Sequence, residues 1–199
     1  MIKFIFTSLL LLGFGISFAG SPVVDEAAPN FKLKDINGKE VSLSDFKGKT
    51  VVLEWINFDC PFVRKHYNSG NMQSIQKTYT EKGIVWLSIC SSAPGKEGNF
   101  AIDEIKSRIS KAKASMSFYL LDENGEVGKL YAAKTTPHMF IIDKTGKLVY
   151  AGGIDNIKSA NIDDIKTAKN YVSSALDEIL SGKSVSEKTS APYGCSVKY

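Results

Sequence analysis

Cys60 is the residue of this sequence best placed to carry out chemistry, because it stands where an apolar run meets a helical segment. Residues 50–57 are apolar and rich in β-branched side chains, which is typical of a buried strand. Pro61 fits the first position of a helix, where its missing N–H would have no partner anyway. Cys60 is therefore predicted to start a helix, where free N–H groups and the helix dipole favour a negatively charged, reactive sulfur. The alternative is an inert, buried thiol.

Four polar residues near Cys60 are candidates for tuning its charge or exchanging its proton: Glu54, Asn57, Asp59 and Arg64. Carboxylates beside a thiol change how readily it ionises and accept protons from it. Glu54 is the most informative of the four, since a carboxylate within an apolar strand needs a hydrogen-bond partner.

A metal site is the competing interpretation of this region. Cys60, His66 and Met139 together would suit copper, but the two histidines of the chain, His66 and His138, lack a recognisable ligand spacing. His66 lies more than one helical turn beyond Cys60 and need not share its direction. No metal is therefore expected.

Length and composition indicate one globular domain. The chain has 199 residues, of which 43% are hydrophobic and 23% charged, values that exclude a mainly disordered protein. Its formal net charge of +4 is small and its lysines are spread along the chain, so a nucleic-acid partner is not indicated.

The first residues have the character of a secretory signal peptide. Lys3 precedes an apolar run, and Ser17-Phe18-Ala19 offers small residues at the cleavage positions. An uncleaved anchor is the alternative, but the run is shorter than a membrane-spanning helix needs. We therefore expect residues 1–19 to be a signal peptide cleaved near Ala19. The product would be a periplasmic or extracellular protein without a stable membrane anchor, with a folded domain over 20–182 and a tail over 183–199.

The periodicity of the remaining sequence predicts alternating strands and helices. Asn37-Gly38 between two alternating runs is a strong hairpin signal. Residues 50–90 form a strand-helix-strand unit whose helix is interrupted by the turn residues 68–71. Further predicted elements are a helix over 100–109, a strand over 118–121, a short helix over 127–132, a hairpin over 138–153 and one long amphipathic helix over 162–180.

This order of elements resembles the thioredoxin superfamily over roughly residues 30–180. Cys60-Pro61-Phe62-Val63 matches the nucleophile motif, and Thr136-Pro137 matches the cis-proline loop. The N-terminal hairpin and the insert between the two halves are most similar to the redoxin branch, which holds the alkyl hydroperoxide reductase and thiol-specific antioxidant group. The resemblance implies a thioredoxin-like α/β fold, with a central mixed sheet, helices on both faces and an N-terminal β-hairpin.

The sequence departs from both kinds of redoxin at known motif positions. Val63 stands where a dithiol motif has its second cysteine. Leu53 and Asn57 stand where peroxiredoxins have proline and a hydroxyl residue, and Arg64 is not at the position of their active-site arginine.

What the resemblance implies for function is thiol–disulfide exchange or thiol-dependent antioxidant chemistry, with Cys60 as the nucleophile. Pro61, Thr136 and Pro137 would position the partner, which would be a thiol or disulfide protein or a small hydroperoxide. Cys195 is the expected resolving cysteine, although an unpartnered terminal thiol is the alternative. Its segment contains aromatic and apolar residues with which it could dock.

Several alternatives remain open at this stage. Cys90 ends the strand expected beside the Cys60 strand, and either a buried core thiol or a second resolving candidate fits it. An ordinary trans turn is the alternative for Thr136-Pro137, but its position just before the fourth strand of the pattern favours the cis-proline loop. No cofactor is expected besides an external thiol reductant. The competing functions are a peroxiredoxin-type peroxidase and a non-enzymatic metal- or protein-binding module.

Overall fold

A computed structural model of the protein describes residues 21–199; the predicted signal peptide lies outside the described residues. Its centre is a seven-stranded mixed sheet with the strand order β2-β1-β5-β4-β3-β7-β8, and β6 and β9 form a separate two-stranded sheet. The strands are β1 (Lys32–Asp35), β2 (Glu40–Ser42), β3 (Val51–Trp55), β4 (Val85–Cys90), β5 (Phe118–Leu121), β6 (Thr135–Thr136), β7 (His138–Ile142), β8 (Leu148–Gly152) and β9 (Cys195–Ser196).

In the part of the chain that the structure describes, five α-helices and two short 3-10 helices connect the strands. The α-helices are α1 (Pro61–Asn68), α2 (Asn71–Thr80), α3 (Ile102–Lys111), α4 (Glu126–Leu130) and α5 (Tyr171–Leu180), and the 3-10 helices span Leu43–Phe46 and Ile162–Lys166. Residues 21–199 contain no helix that is both long and apolar enough to cross a bilayer.

The sheet has a hydrophobic core on each face, because the side chains of β3 alternate between the two. Val52 packs in the core shared with α1, α2, α3 and α5, whereas Val51 and Leu53 pack in the core shared with α4 and the N-terminal hairpin. β3 pairs in parallel with β4 and antiparallel with β7. The thioredoxin-like fold with helices on both faces, a mixed sheet and the hairpin at Asn37-Gly38 is confirmed.

The prediction of one long helix over 162–180 is wrong. The segment forms a 3-10 helix, breaks, and begins again as α5. Asn170 causes the new start, since its side chain accepts a hydrogen bond from Ser173 N and caps α5. The interruption between α1 and α2 is as predicted, and Gly70 there adopts φ = 77°.

The tail folds back across the sheet. It first runs beside β8, where Ala151 N donates to Lys188 O at 3.0 Å, and then pairs antiparallel with β6. This path brings residues 193–199 to the carboxyl end of β3.

Candidate active site

Cys60 is the N-cap residue of α1, and Pro61 is at its first helical position. The backbone of Cys60 is extended, with φ = −64° and ψ = 124°, and its carbonyl accepts the first helical hydrogen bond from Arg64 N at 2.9 Å. The sequence prediction of a cysteine at the start of a helix is therefore confirmed. The sulfur accepts no capping hydrogen bond from the first turn, so stabilisation of a Cys60 thiolate by the helix start stays a prediction.

The sulfur of Cys60 faces the tail and the loop before β7. Its Sγ lies 2.8 Å from Cys195 Sγ and 3.0 Å from Thr136 O. Both cysteines are free thiols, and the distance exceeds the roughly 2.05 Å of a disulfide bond. Because the sulfurs are already in contact, a small movement is enough to join them.

The pairing of β6 with β9 places Cys195 over Cys60. Thr136 is the register partner of Cys195, and Thr135 is that of Ser196. The Thr136–Pro137 peptide bond is cis, as the position of this dipeptide in the sequence pattern indicated. Cys60 has 0% exposure, and Cys195 of the tail is in contact with its sulfur.

Further contacts hold the end of the tail. Val197 N donates to Lys134 O at 3.1 Å, and Ala93 N donates to Lys198 O at 2.8 Å. The Tyr199 hydroxyl donates to Ala133 O at 2.8 Å. The tail is thus docked on both sides of Cys195, in agreement with its aromatic and apolar composition.

The environment of Cys195 raises its pKa to about 12. Burial is the largest cause, followed by the hydrogen bond and the charge of Cys60, and Lys198 opposes the shift. Cys195 therefore keeps its proton at neutral pH while Cys60 is unmodified beside it.

The loop before Cys60 is held by polar contacts. Asn57 Oδ1 accepts from Asp59 N at 2.9 Å, and Asn57 Nδ2 donates to Glu97 Oε1 at 2.8 Å. Asp59 forms an ion pair with Arg108 at 2.7 Å. Arg64 is exposed on α1, so the arginine that contacts the residue before Cys60 is Arg108.

Glu54 is fully buried and accepts four hydrogen bonds, as a carboxylate in an apolar strand requires. The donors are Trp86 Nε1 and Ser88 Oγ, both at 2.8 Å, and Tyr67 Oη and Gln76 Nε2, both at 3.1 Å. Burial raises the pKa of Glu54, and all four hydrogen bonds oppose that rise. None of the donors is a cysteine, so a direct role of Glu54 in the acidity of Cys60 stays a prediction.

Cys90 is buried at the end of β4, and its thiol donates to Gly98 O at 3.4 Å. The Cys60 sulfur, by contrast, is in contact with Cys195 and Thr136. The imidazole of His66 is hydrogen-bonded to the side chains of Tyr193 and Asn71. Within residues 21–199, no three His, Cys, Asp or Glu side chains are grouped as metal ligands would be.

We expect the two histidines to make the protein less stable in acid. Burial lowers the pKa of His66 and of His138 to about 4; Asp155 opposes the shift of His66, while Lys65 adds to it, and Lys134 adds to that of His138. Because the folded-state pKa values lie below the ordinary value of about 6.5, the unfolded protein binds protons more readily than the folded one. The contribution of each histidine to the free energy of unfolding is therefore complete above pH 6.5 and is lost as the pH falls towards 4. Each amounts to about 3 kcal/mol.

The measurement is urea unfolding of the wild type and of His138→Gln between pH 7 and 4.5. Since the raised pKa of Glu54 acts in the opposite direction, the difference between the two proteins is the informative quantity. Near pH 5, about midway between the folded and unfolded pKa values of His138, the wild type should take up about one more proton on unfolding than the variant. Parallel curves for the two proteins would contradict the expectation.

The family model of the AhpC/TSA family matches residues 24–151, which is more than half of the chain. This chain belongs to the AhpC/TSA family.

Individual relatives of this AhpC/TSA protein point to redox chemistry of thiols. The thiol-disulfide oxidoreductase ResA of Bacillus thuringiensis is 30% identical over 127 residues, which cover 63% of this chain and 67% of ResA. A crystal structure of an uncharacterized conserved protein of Geobacillus kaustophilus matches with a TM-score of 0.74 and 29% identity, covering 89% of this chain and 92% of that one. The solution structure of a thiol:disulfide interchange protein from a Bacteroides species matches with a TM-score of 0.52 and 25% identity, covering 66% and 82%.

Sequence reasoning missed several residues around the sulfur pair of this AhpC/TSA protein. Arg108 contacts Asp59 from α3, and Lys65 and Asp155 form a buried ion pair at 3.2 Å close to the tail. A lysine on the buried face of a predicted helix was the available signal for the second pair. Arg108 left no signal, because its partner lies 49 residues away.

Proposed function

We propose that this protein is an exported thiol–disulfide oxidoreductase in which Cys60 is the nucleophile and Cys195 the resolving cysteine. The observation that carries the proposal is the 2.8 Å contact between the two sulfurs, one of which stands at the start of a helix. Membership of the AhpC/TSA family and the relatives named as thiol–disulfide proteins support this reaction class.

In the first step, the thiolate of Cys60 attacks one sulfur of a substrate disulfide. A new bond forms between Cys60 and that sulfur, the substrate S–S bond breaks, and the second substrate sulfur leaves as a thiolate. Because Cys60 is buried under the tail, β9 must first separate from β6. That pairing involves only two residues on each side, so its separation leaves the seven-stranded sheet intact.

In the second step, Cys195 attacks the sulfur of Cys60. The Cys60–Cys195 disulfide forms, the mixed disulfide breaks, and the first substrate sulfur leaves as a thiolate, so that the substrate has gained two electrons. The charge of Cys60, which contributes to the high pKa of Cys195, disappears once Cys60 is in the mixed disulfide. Cys195 therefore loses its proton more easily at the stage at which it must attack.

An external dithiol completes the cycle by reducing the Cys60–Cys195 disulfide back to two thiols. The substrate would be a protein disulfide, since Thr135 and Thr136 pair with an extended chain in β9 and offer the same backbone groups to a substrate segment. Export rests on the signal-peptide character of residues 1–19, and it would place the protein in a compartment where disulfides persist.

Peptide mapping by mass spectrometry tests the proposal. The reduced protein is treated with oxidised glutathione and digested, and we expect a Cys60–Cys195 bridge that dithiothreitol removes, with Cys90 remaining a free thiol. The variant Cys90→Ser serves as the control and should form the same bridge. Three free thiols after oxidation, or a bridge to Cys90, would contradict the proposal. Oxidation that is much faster with hydrogen peroxide than with glutathione disulfide would assign the protein to peroxidases instead.

A further inference from the structure

Tyr193 lies two residues before Cys195 and ends in a buried polar network. Its hydroxyl donates to Asp155 Oδ1 at 2.5 Å. The same oxygen accepts from His66 Nε2 at 3.2 Å and from Lys65 Nζ at 3.4 Å. The hydroxyl therefore has partners for its proton and for both of its lone pairs.

The partners of Tyr193 are themselves held in place. Lys65 Nζ donates to Asp155 Oδ2 at 3.2 Å and to Ile157 O at 3.0 Å. Asn71 Nδ2 donates to His66 Nδ1 at 2.8 Å, which leaves the proton of the neutral imidazole on Nε2, facing the Tyr193 oxygen. We call this set, Lys65, His66, Asp155 and Tyr193, the Tyr193 network.

The network joins the two halves of the candidate active site. Lys65 and His66 belong to α1, the helix whose first residue follows Cys60, whereas Tyr193 belongs to the segment that carries Cys195. The ring of Tyr193 also packs edge-on against Phe62 in the first turn of α1, with ring centroids 5.9 Å apart. A displacement of Tyr193 is therefore transmitted to Cys195 through a single intervening residue.

β9 by itself is too short to fix the position of Cys195. It pairs with β6 through two residues only, and a slip of one residue would turn the sulfur to the opposite side. Apolar packing of the Tyr193 ring tolerates such a slip, but the directed hydrogen bonds of its hydroxyl do not. In addition, a buried lysine–aspartate pair is costly to leave incompletely bonded, which favours the docked tail over partly docked ones.

We propose that Tyr193 is a positioning residue: held by Lys65, His66 and Asp155, it docks the tail in the one register that places Cys195 on Cys60. This inference rests on the proposed function, because it assumes that Cys195 resolves the mixed disulfide. The network sets how often the tail is open to admit a substrate, and how quickly Cys195 returns.

The test compares Tyr193→Phe with Tyr79→Phe. Tyr79 is a matched control, since its hydroxyl also donates to an aspartate, Asp177 Oδ1 at 2.9 Å, but its hydroxyl partners Ser173 and Asp177 both lie in α5 and not in the tail. Two rates are measured: alkylation of Cys60 by iodoacetamide in the reduced protein, and release of glutathione from the Cys60–glutathione mixed disulfide. Both depend on docking of the tail, and Tyr79→Phe shows how much a general loss of stability changes them.

We expect Tyr193→Phe to speed alkylation of Cys60, and to slow release of glutathione, each by about 10- to 100-fold, as the loss of a hydrogen bond to a charged group predicts. Tyr79→Phe should stay within about twofold of the wild type in both rates, even if its melting temperature falls by as much as that of Tyr193→Phe. Asn71→Ala, which removes only the support of His66, should change both rates in the same direction by about threefold. Asn71→Ala also decides the matter if Tyr193→Phe does not fold.

Rates within twofold of the wild type for the folded Tyr193→Phe protein would overturn the proposal, as would equal changes in Tyr79→Phe. If Tyr193→Phe does not fold, unchanged rates in Asn71→Ala would overturn it. A wild-type protein that forms no Cys60–Cys195 bridge would refute the proposed function itself, and this inference with it. A wild type that forms the bridge normally, together with unchanged variant rates, would refute only the role of Tyr193.

Discussion

Replacing Cys60 by serine is expected to lower the rate of disulfide reduction by about 10³-fold or more, as removal of a catalytic nucleophile does in other enzymes. A serine hydroxyl is not ionised at neutral pH and cannot form a disulfide with the substrate. The fold should be retained, since serine is close in size to cysteine and Thr136 O at 3.0 Å accepts a hydrogen bond from a hydroxyl as it does from the thiol. The measurement is reduction of a protein disulfide by the purified variant with dithiothreitol as the electron donor.

Two further variants separate the roles of the three cysteines. Cys195→Ser should stop the reaction after its first step, so that the mixed disulfide between Cys60 and the substrate accumulates and is visible by mass spectrometry. Cys90→Ser should keep most of the activity, because the thiol of Cys90 is directed towards Gly98 O. Full activity of Cys60→Ser towards both disulfides and hydroperoxides would exclude the proposed mechanism.

Replacing Gly194 by alanine is expected to release the tail. Gly194 adopts φ = 139°, a conformation that side chains rarely adopt, and a Cβ there would overlap the carbonyl oxygen of Thr136. The pairing of β9 with β6 would be lost, and Cys195 would leave Cys60. We expect Cys60 to be alkylated at least about 100-fold faster, and the Cys60–Cys195 bridge to form correspondingly more slowly, because strain and overlap together cost several kcal/mol.

Gly182→Ala is the matched control for Gly194→Ala. Gly182 precedes the tail and also has a positive φ, of 71°, but a Cβ there would meet nothing within 4 Å. Gly182→Ala should lower the stability of the protein without changing the alkylation rate of Cys60. Equal alkylation rates in Gly194→Ala and the wild type would show that Cys60 is reached without movement of the tail.

Much of the fold could be predicted from the sequence because the relevant signals are local. Asn37-Gly38 defines a hairpin by the geometry of its two turn residues, and Pro61 marks a helix start because it has no N–H to bond. The failure at 162–180 is also informative. The apolar spacing runs through Asn170 without interruption, and only the capping hydrogen bond of that side chain shows where α5 begins.

In the candidate site, too, local signals could be read from the sequence and long-range contacts could not. The apolar strand around Glu54 indicates that this carboxylate needs hydrogen-bond partners. Its four donors come from α1, α2 and β4, and no local pattern identifies them. Nearness in sequence points to Arg64, whereas the ion pair with Asp59 is formed by Arg108 from α3.

The candidate nucleophile could be located from local sequence alone, since a cysteine before a proline at a helix start depends only on neighbouring residues. Which thiol faces Cys60, by contrast, depends on how the whole chain folds. Cys195 lies 135 residues further along the chain, and its place opposite Cys60 depends on the two-residue pairing with β6 and on the buried hydroxyl of Tyr193. Contacts between such distant segments are fixed by the packing of the whole domain, which periodicity and turn residues do not encode.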